Sequence, residues 1–332
     1  MTIPMAFAMV SPVDKIRDTV VEAREVSWKN FGRKIRFYVP SFVHYKNRYF
    51  RSVPMVFPSI SVTGTHCALN CKHCGGRILD TMIPAQNPHR LVRICKEIKE
   101  KRGVGCLISG GCLPDGSVPI GRFIEAIAEV KSRFGLKVVV HTGLIDRQMA
   151  GRLKDSEVDA VLIDIIGSDE TAREIYHLDA STQDFERSLK ALGEAGIPYV
   201  PHVLIGLHYG RIRGEMKALN MIARHSPSAL ILIVFFPIRG TEMEDFEPPS
   251  PEEATRVLVQ ARQMMPPVPL ALGCARPKGR HRARTDCLAV DAGVNAIAFP
   301  SKEAIERAES LGLKISFSSL CCSQIYEDIG TV

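Results

Sequence analysis

Thr65-His66-Cys67-Ala68-Leu69-Asn70-Cys71-Lys72-His73-Cys74-Gly75-Gly76 holds three cysteines within eight residues, spaced C-x3-C-x2-C, with no fourth close by. A four-iron cluster takes four ligands, so three thiolates leave one iron open to bind something else. The alternative is a structural zinc site, which normally closes a tetrahedron with four ligands, often as two C-x2-C pairs. His66 or His73 would then have to supply the missing ligand. A zinc knuckle does not, however, predict the strand that precedes this motif or the repeating pattern that follows it.

Residues 58–63 read as a first strand, ending at Gly64 just before the cysteine loop. Helical spacing over 91–101 is broken at Gly103, and 104–109 is a short apolar strand closed by Gly110-Gly111. The alternation continues with helices at 122–134, 147–154, 182–195, 215–225 and 251–265, and strands at 136–141, 160–166, 199–205, 229–236 and 270–273. The last strand and last helix fall at 296–299 and 302–311. This order implies parallel strands with crossover helices, hence a full or partial (β/α) barrel. A doubly wound open sheet fits the same periodicity. Residues 1–52 read as an N-terminal extension, with a helix near 14–29 and a basic, aromatic stretch at 31–51; 53–300 form the barrel; 301–332 form a C-terminal helix and cysteine-bearing tail.

The chain has 332 residues, 45% of them hydrophobic, enough for one barrel-sized core. No run of about 18 apolar residues marks a membrane span. Residues 1–10 are apolar but lack a basic start, which makes a poor signal peptide. Ten cysteines without an export signal point to reduced thiols and metal ligation in the cytoplasm rather than to disulfides. The net charge of +7 comes with no long basic run, so neither nucleic acid nor membrane is expected as a partner.

In (β/α) barrels chemistry sits at the C-terminal ends of the strands. Cys67 to Cys74 follow the first strand, Gly110-Gly111-Cys112 the second and Cys274 the seventh. Cys95 and Cys106 read as core residues. Cys112, Cys274 and the tail pair Cys321-Cys322 could together hold a second iron–sulfur cluster, with the tail folded back across the barrel. Cys287 is the rival for one position, and a redox pair or incidental thiols in the tail is the alternative. Two adjacent exposed thiols without a metal would invite oxidation.

The three-cysteine segment closely resembles that of the radical S-adenosylmethionine (SAM) enzymes. The resemblance implies that the open iron chelates the methionine amino and carboxylate groups. An electron from the cluster then breaks a carbon–sulfur bond and releases a 5′-deoxyadenosyl radical. It also implies that Ser109-Gly110-Gly111 lets backbone carbonyls approach the methionine ammonium, although Cys112 stands where the family carries an acid. Leu204-Ile205-Gly206-Leu207 resembles the apolar-glycine segment that lies against adenine, which assigns Ile205 and Gly206 to the cofactor. Asp164 is a charge inside an apolar strand and needs partners. A ribose or methionine contact would supply them; a salt bridge within the barrel is the alternative.

Residues 60–74, Leu107-Ile108-Ser109-Gly110-Gly111-Cys112, Leu272-Gly273-Cys274-Ala275-Arg276-Pro277 and the terminal Cys321-Cys322 resemble a biotin synthase-related family. Within it, the chain resembles one component of the two-component lipoyl synthases of archaea and some bacteria, over about 37–323. Biotin synthase draws auxiliary-cluster ligands from barrel strands, where this chain has His141 and His202. The additional cysteine motif and Arg-Ser-Ser ending of single-chain lipoyl synthases are absent. The resemblance implies sulfur insertion into an octanoyl chain on a lipoyl-domain protein, with a sacrificial auxiliary cluster as sulfur source. A companion radical SAM component and a reductant protein such as ferredoxin are the implied partners. The basic stretches at 33–51 and 278–284 could meet an acidic lipoyl domain or could be solvated faces.

Overall fold

The structure, a computed structural model, describes residues 12–329; the apolar stretch 1–10 and the last three residues lie outside them. Eleven strands form one sheet: β1 (Lys34–Tyr38), β2 (Ser59–Ser61), β3 (Ile83–Pro84), β4 (Gly105–Ser109), β5 (Lys137–His141), β6 (Ala160–Asp164), β7 (Tyr199–Ile205), β8 (Leu230–Val234), β9 (Leu270–Leu272), β10 (Ala296–Ala298) and β11 (Lys314–Ser318). Helices α1 (Pro12–Phe31), α2 (Pro88–Glu100), α3 (Ile124–Phe134), α4 (Arg147–Asp155), α5 (Asp169–Tyr176), α6 (Thr182–Ala195), α7 (Glu215–Ala223), α8 (Pro251–Met264), α9 (Gly279–Asp291), α10 (Lys302–Ser310) and α11 (Ile325–Asp328) complete the chain.

The strand order is β11-β1-β10-β9-β8-β7-β6-β5-β4-β2-β3. Every pairing is parallel. A single short turn at 322–324 touches β6, β8 and β10, so the sheet curls around it into a partial barrel. Helix ends follow their sequence signals. Ser250 and Glu253 form a capping box at α8, and Gly135 and Gly196 close α3 and α6 in the left-handed region.

Two expectations change. The 1–52 segment is not separate over its described part: β1 lies between β10 and β11 in the sheet. Nor is 296–299 the last strand, because β11 pairs with β1 beyond it. Both strands alternate, Lys-Ile-Arg-Phe-Tyr and Lys-Ile-Ser-Phe-Ser, a period-2 signal present in the sequence. Helix α5 was also not anticipated, although Ser168 with Asp169 and Glu170 is a helix start.

The side chains divide by strand face. Val161, Ile163 and Ile205 belong to the large core between sheet and helices. Ala160, Leu162, Val200, Ile231, Ala271, Ala296 and Ala298 line the inside of the barrel with Cys321, Cys322 and Ile325. The small alanines leave room for a piece of backbone, and the C-terminal tail fills it. After β11 the chain turns inward at Cys321 and passes down the barrel. There Tyr326 Oη donates to the carbonyl of Asp159, the residue before β6 (2.6 Å), and Tyr38 Oη, from the last residue of β1, donates to Asp328 (2.7 Å). Ile325 is 1% exposed, and its burial contributes about 1.5–3 kcal/mol.

Candidate metal centre and cofactor site

The cysteine loop leaves β2 and is held from two sides. The Ala68 N–H donates to the Cys112 carbonyl (2.8 Å), tying it to the loop after β4. From the other side, the Lys72 N–H donates to the Ile175 carbonyl (2.9 Å), and His177 Nδ1 meets the Leu69 carbonyl (2.9 Å). Lys72 Nζ also donates to Tyr209 Oη (2.8 Å), which donates to Glu174 (2.6 Å). Gly75 and Gly76 take positive φ where the chain reverses after Cys74.

Within this loop the sulfurs of Cys71 and Cys74 and a ring nitrogen of His73 lie within 4.8 Å of one another. The Cys71 thiol donates to the Tyr176 carbonyl (3.7 Å). The adjacent Cys71 thiol holds Cys74 well below the usual thiol range, and Cys74 together with burial holds Cys71 well above it. His73 stacks on Tyr176 with ring centroids 5.1 Å apart, and its Nδ1 is buried without a partner. Cys67 lies in the electrostatic reach of Cys71.

Gly111 has a packing role at the root of the cysteine loop. A Cβ there would stand 2.0 Å from the His66 carbonyl oxygen and 2.6 Å from Cys67 Cα, so the glycine lets the cysteine loop pack on β4. Gly110 is less crowded, with Thr63 and Val62 side-chain atoms at 3.1 Å from its Cβ position. Ser109 is buried and pairs in register with Ser61. Ile205 is fully buried, and the Gly206 N–H, at a positive φ, donates to Glu215 (2.7 Å).

Asp164 ends β6 with 34% of its side-chain surface exposed, and its Oδ1 lies 3.5 Å from His141 Nε2. The salt bridge within the barrel is therefore present. His202 stands beside them, its ring centroid 6.0 Å from that of His141. Burial pushes the Asp164 carboxyl up, but His141, then His202 and His73, outweigh it and hold the group at about 2. Burial lowers His141, and Asp164 more than reverses this, leaving it raised. His202, farther from the carboxylate, is lowered to about 4 by burial. Its Nδ1 lies 3.1 Å from the Val200 carbonyl.

The remaining thiols separate. Cys112 belongs with the first loop: burial, then Cys67 and Asp164, push it up to about 12. Cys274, at the end of β9, is exposed, whereas Cys321 and Cys322 are buried at 6% and 5% rather than lying on the surface. Cys274 and Cys321 lie within electrostatic reach of each other, and Cys322 feels both. Cys287 is on α9, half-buried beside Asp286 and Asp291, away from these thiols. Cys95 and Cys106 are fully buried core residues, as expected. Sequence reasoning missed the buried pair of Arg276 with Asp286, which sits beside Cys274 and Cys322. Among the described residues no helix is long and apolar enough to cross a membrane.

A partial parallel (β/α) barrel with a C-x3-C-x2-C loop after its first barrel strand, facing an inward carboxylate, defines a class of cluster-binding proteins. Residues 61–219 match the family model described as Radical SAM superfamily. Relatives include a biotin synthase from Cenarchaeum symbiosum, 29% identical over 211 residues, which are 60% of this chain and 64% of that protein. The match therefore spans less than two thirds of that relative. A biotin synthase from Ruthia magnifica subsp. Calyptogena magnifica is 25% identical over 70% of this chain and 73% of its own length. The fold is shared with methylornithine synthase (PylB), at a TM-score of 0.64 and 16% identity, covering 97% of this chain and 94% of that one. It is also shared with the FeFe-hydrogenase maturase HydG from Carboxydothermus hydrogenoformans, at 0.64 and 16%, covering 98% and 77%. Residues 61–219 carry a radical SAM domain by this match, and the chain is similar to the biotin synthases. Such a domain implies a four-iron cluster and SAM. The donor set fits: three thiols on one loop, with the Cys71 and Cys74 sulfurs close together beside His73, whose buried Nδ1 lacks a partner.

Proposed function

We propose that this chain is a radical SAM sulfur-insertion enzyme, one component of a two-component lipoyl synthase acting on a protein-bound octanoyl group. The observation that carries this reading is the pair Cys321 and Cys322, buried inside the barrel by the tail, with the exposed Cys274 after β9 in their electrostatic reach. When bound, the first cluster and SAM supply a 5′-deoxyadenosyl radical that takes a hydrogen atom, and a second cluster supplies the sulfur. Cys67, Cys71 and Cys74 would hold the first cluster. Ser109, Gly110, Asp164 and Gly206 would border the space for SAM, Ile205 could contribute only backbone because its side chain is buried in the core between sheet and helices, and Gly111 sets the height of the cysteine loop. Asp164, held ionised by His141, can accept hydrogen bonds from hydroxyl or ammonium groups.

Because all strands are parallel, the loops after β1 and β9 share one rim. Exposed His44, Lys46, Arg51 and Lys278 lie on them and exposed Arg280 lies in the first turn of α9, while Arg48 and Arg284 are paired with Glu306 and Glu252. This rim suits an acidic lipoyl domain. A companion radical SAM component, a ferredoxin-like reductant and a cytoplasmic setting complete the proposal.

The test is incubation of the full chain with SAM, a reductant and an octanoylated lipoyl domain. Deoxyadenosine together with a sulfur-bearing octanoyl product, read by mass, is expected. One observation favours a second reading: His141, Asp164 and His202 make part of the barrel interior polar, which suits a polar substrate and another radical reaction such as a methylation or rearrangement. Deoxyadenosine without sulfur transfer would favour that reading. No SAM cleavage at all would leave a non-catalytic metal-binding module.

A further inference from the structure

His141 ends β5, Asp164 ends β6, and His202 lies beside Asp164 in register on β7. Each stands two residues beyond a side chain that lines the barrel interior, namely Val139, Leu162 and Val200. Alternation along a strand therefore turns all three inward. The next partner of His202 is Ile231 on β8, which in turn pairs with Ala271 on β9. The inner wall is thus polar at β5 to β7 and hydrocarbon at β8 and β9, where Ile231, Ile233 and Ala271 face inward.

The three polar residues are not equivalent. Asp164 Oδ1 and His141 Nε2, 3.5 Å apart, serve each other as an ion pair. His202 stands outside that pair, and its Nδ1 lies 3.1 Å from the Val200 carbonyl. A carbonyl only accepts, so Nδ1 carries the proton and Nε2 is left as a bare acceptor. Among the described residues no group donates to Nε2. Burial also holds this imidazole at about 4, so it stays neutral around pH 7.

A carrier-bound octanoyl chain is hydrocarbon everywhere except at its linkage. The chain suits Ile231, Ile233 and Ala271, which leaves the linkage to meet His202. A secondary amide brings an N–H to Nε2; an ester or a thioester brings no donor.

We propose that His202 is a specificity-determining residue, its Nε2 accepting a hydrogen bond from the amide N–H that joins the octanoyl chain to its carrier. The proposal rests on the octanoyl reading above and assigns the group that recognises the linkage. A substrate without that N–H leaves Nε2 unpaired inside the barrel, and a site built to bond an N–H rejects such an analogue.

The test uses the full chain, reconstituted anaerobically with iron, sulfide and SAM. Its affinity is measured for two lipoyl domains made by chemical ligation. One carries octanoate through a lysine amide, the other through an ester oxygen in place of the N–H. Wild type is compared with His202→Leu and His202→Gln. Wild type should bind the amide form at least about tenfold more tightly than the ester form. His202→Leu has no acceptor and should bind the two alike. His202→Gln, whose side-chain carbonyl accepts, should recover part of the preference, which a purely structural ring would not do. In wild type labelled with nitrogen-15 histidine, the amide form and not the ester form should shift the His202 Nε2 resonance, which needs no variant to fold. Equal affinity of wild type for the two forms overturns the assignment and leaves the octanoyl reading in place. So does full preference in His202→Leu, or an Nε2 resonance that ignores the amide form. Binding of neither domain overturns the octanoyl reading itself, and the assignment with it.

Discussion

His141 Nε2 lies 3.5 Å from Asp164 Oδ1, where β5 and β6 end side by side on the inner face of the barrel. His202 stands beside this pair, its ring centroid 6.0 Å from that of His141. The pair divides the two histidines, since His141 is raised and His202 lowered to about 4.

The histidine nearest this pair gives a pH prediction. His202 is neutral in the fold down to about 4, whereas an unfolded histidine takes a proton near 6.5. Between those values the unfolded chain binds more protons, so stability falls as pH drops from about 6.5 to 4. His202→Gln should flatten that part of the stability profile. His141 acts in the opposite sense, its contribution being complete below about 6.5 and lost as pH rises through its raised value. Two imidazole titrations by NMR, one on each side of 6.5, check this; a His202 midpoint above 6.5 would refute it.

Asp286→Ala should cost about 3–5 kcal/mol in denaturant unfolding, because it strands the fully buried Arg276 guanidinium. Replacing both by Met and Leu should lose much less. Equal losses would mean that the carbonyls of Gly273 and Phe299, which Arg276 also bonds, outweigh the ion pair.

Gly111→Ala should empty the first cluster site while leaving the tail thiols in place. The added methyl meets backbone at 2.0 Å, which cannot move without lifting the cysteine loop. Gly110→Ala meets side-chain atoms at 3.1 Å and should keep most of its iron. Anaerobic iron counts on the two variants decide it, and equal iron in both would be the contrary result.

Under the proposed function, Cys74→Ala should abolish SAM cleavage. Cys322→Ser should spare cleavage and stop sulfur insertion. Deoxyadenosine and product masses from one reaction mixture separate the two effects; parallel loss of both would count against the division of labour.

Local periodicity made most elements legible. Helix α6 and strand β7 fall where the spacing put them, and most other ends differ by a few residues. The short strands β1 and β11 were harder to read. Their alternating pattern is clear only once each is known to have a partner, and those partners lie far away in the chain.

The cysteine spacing and the order of strands and helices sufficed to define a cluster-binding parallel barrel, because both depend on contacts within a few residues or a fixed repeat. Only the tertiary structure divided the other cysteines. Cys112 and Cys274 both follow a glycine at a strand end, yet the curl of the sheet sends one to the first loop and the other to the tail. The course of 319–329 through the barrel was likewise beyond the sequence. It depends on the space left by alanines on strands distant in the chain, and on Asp159 and Tyr38, which bond its end.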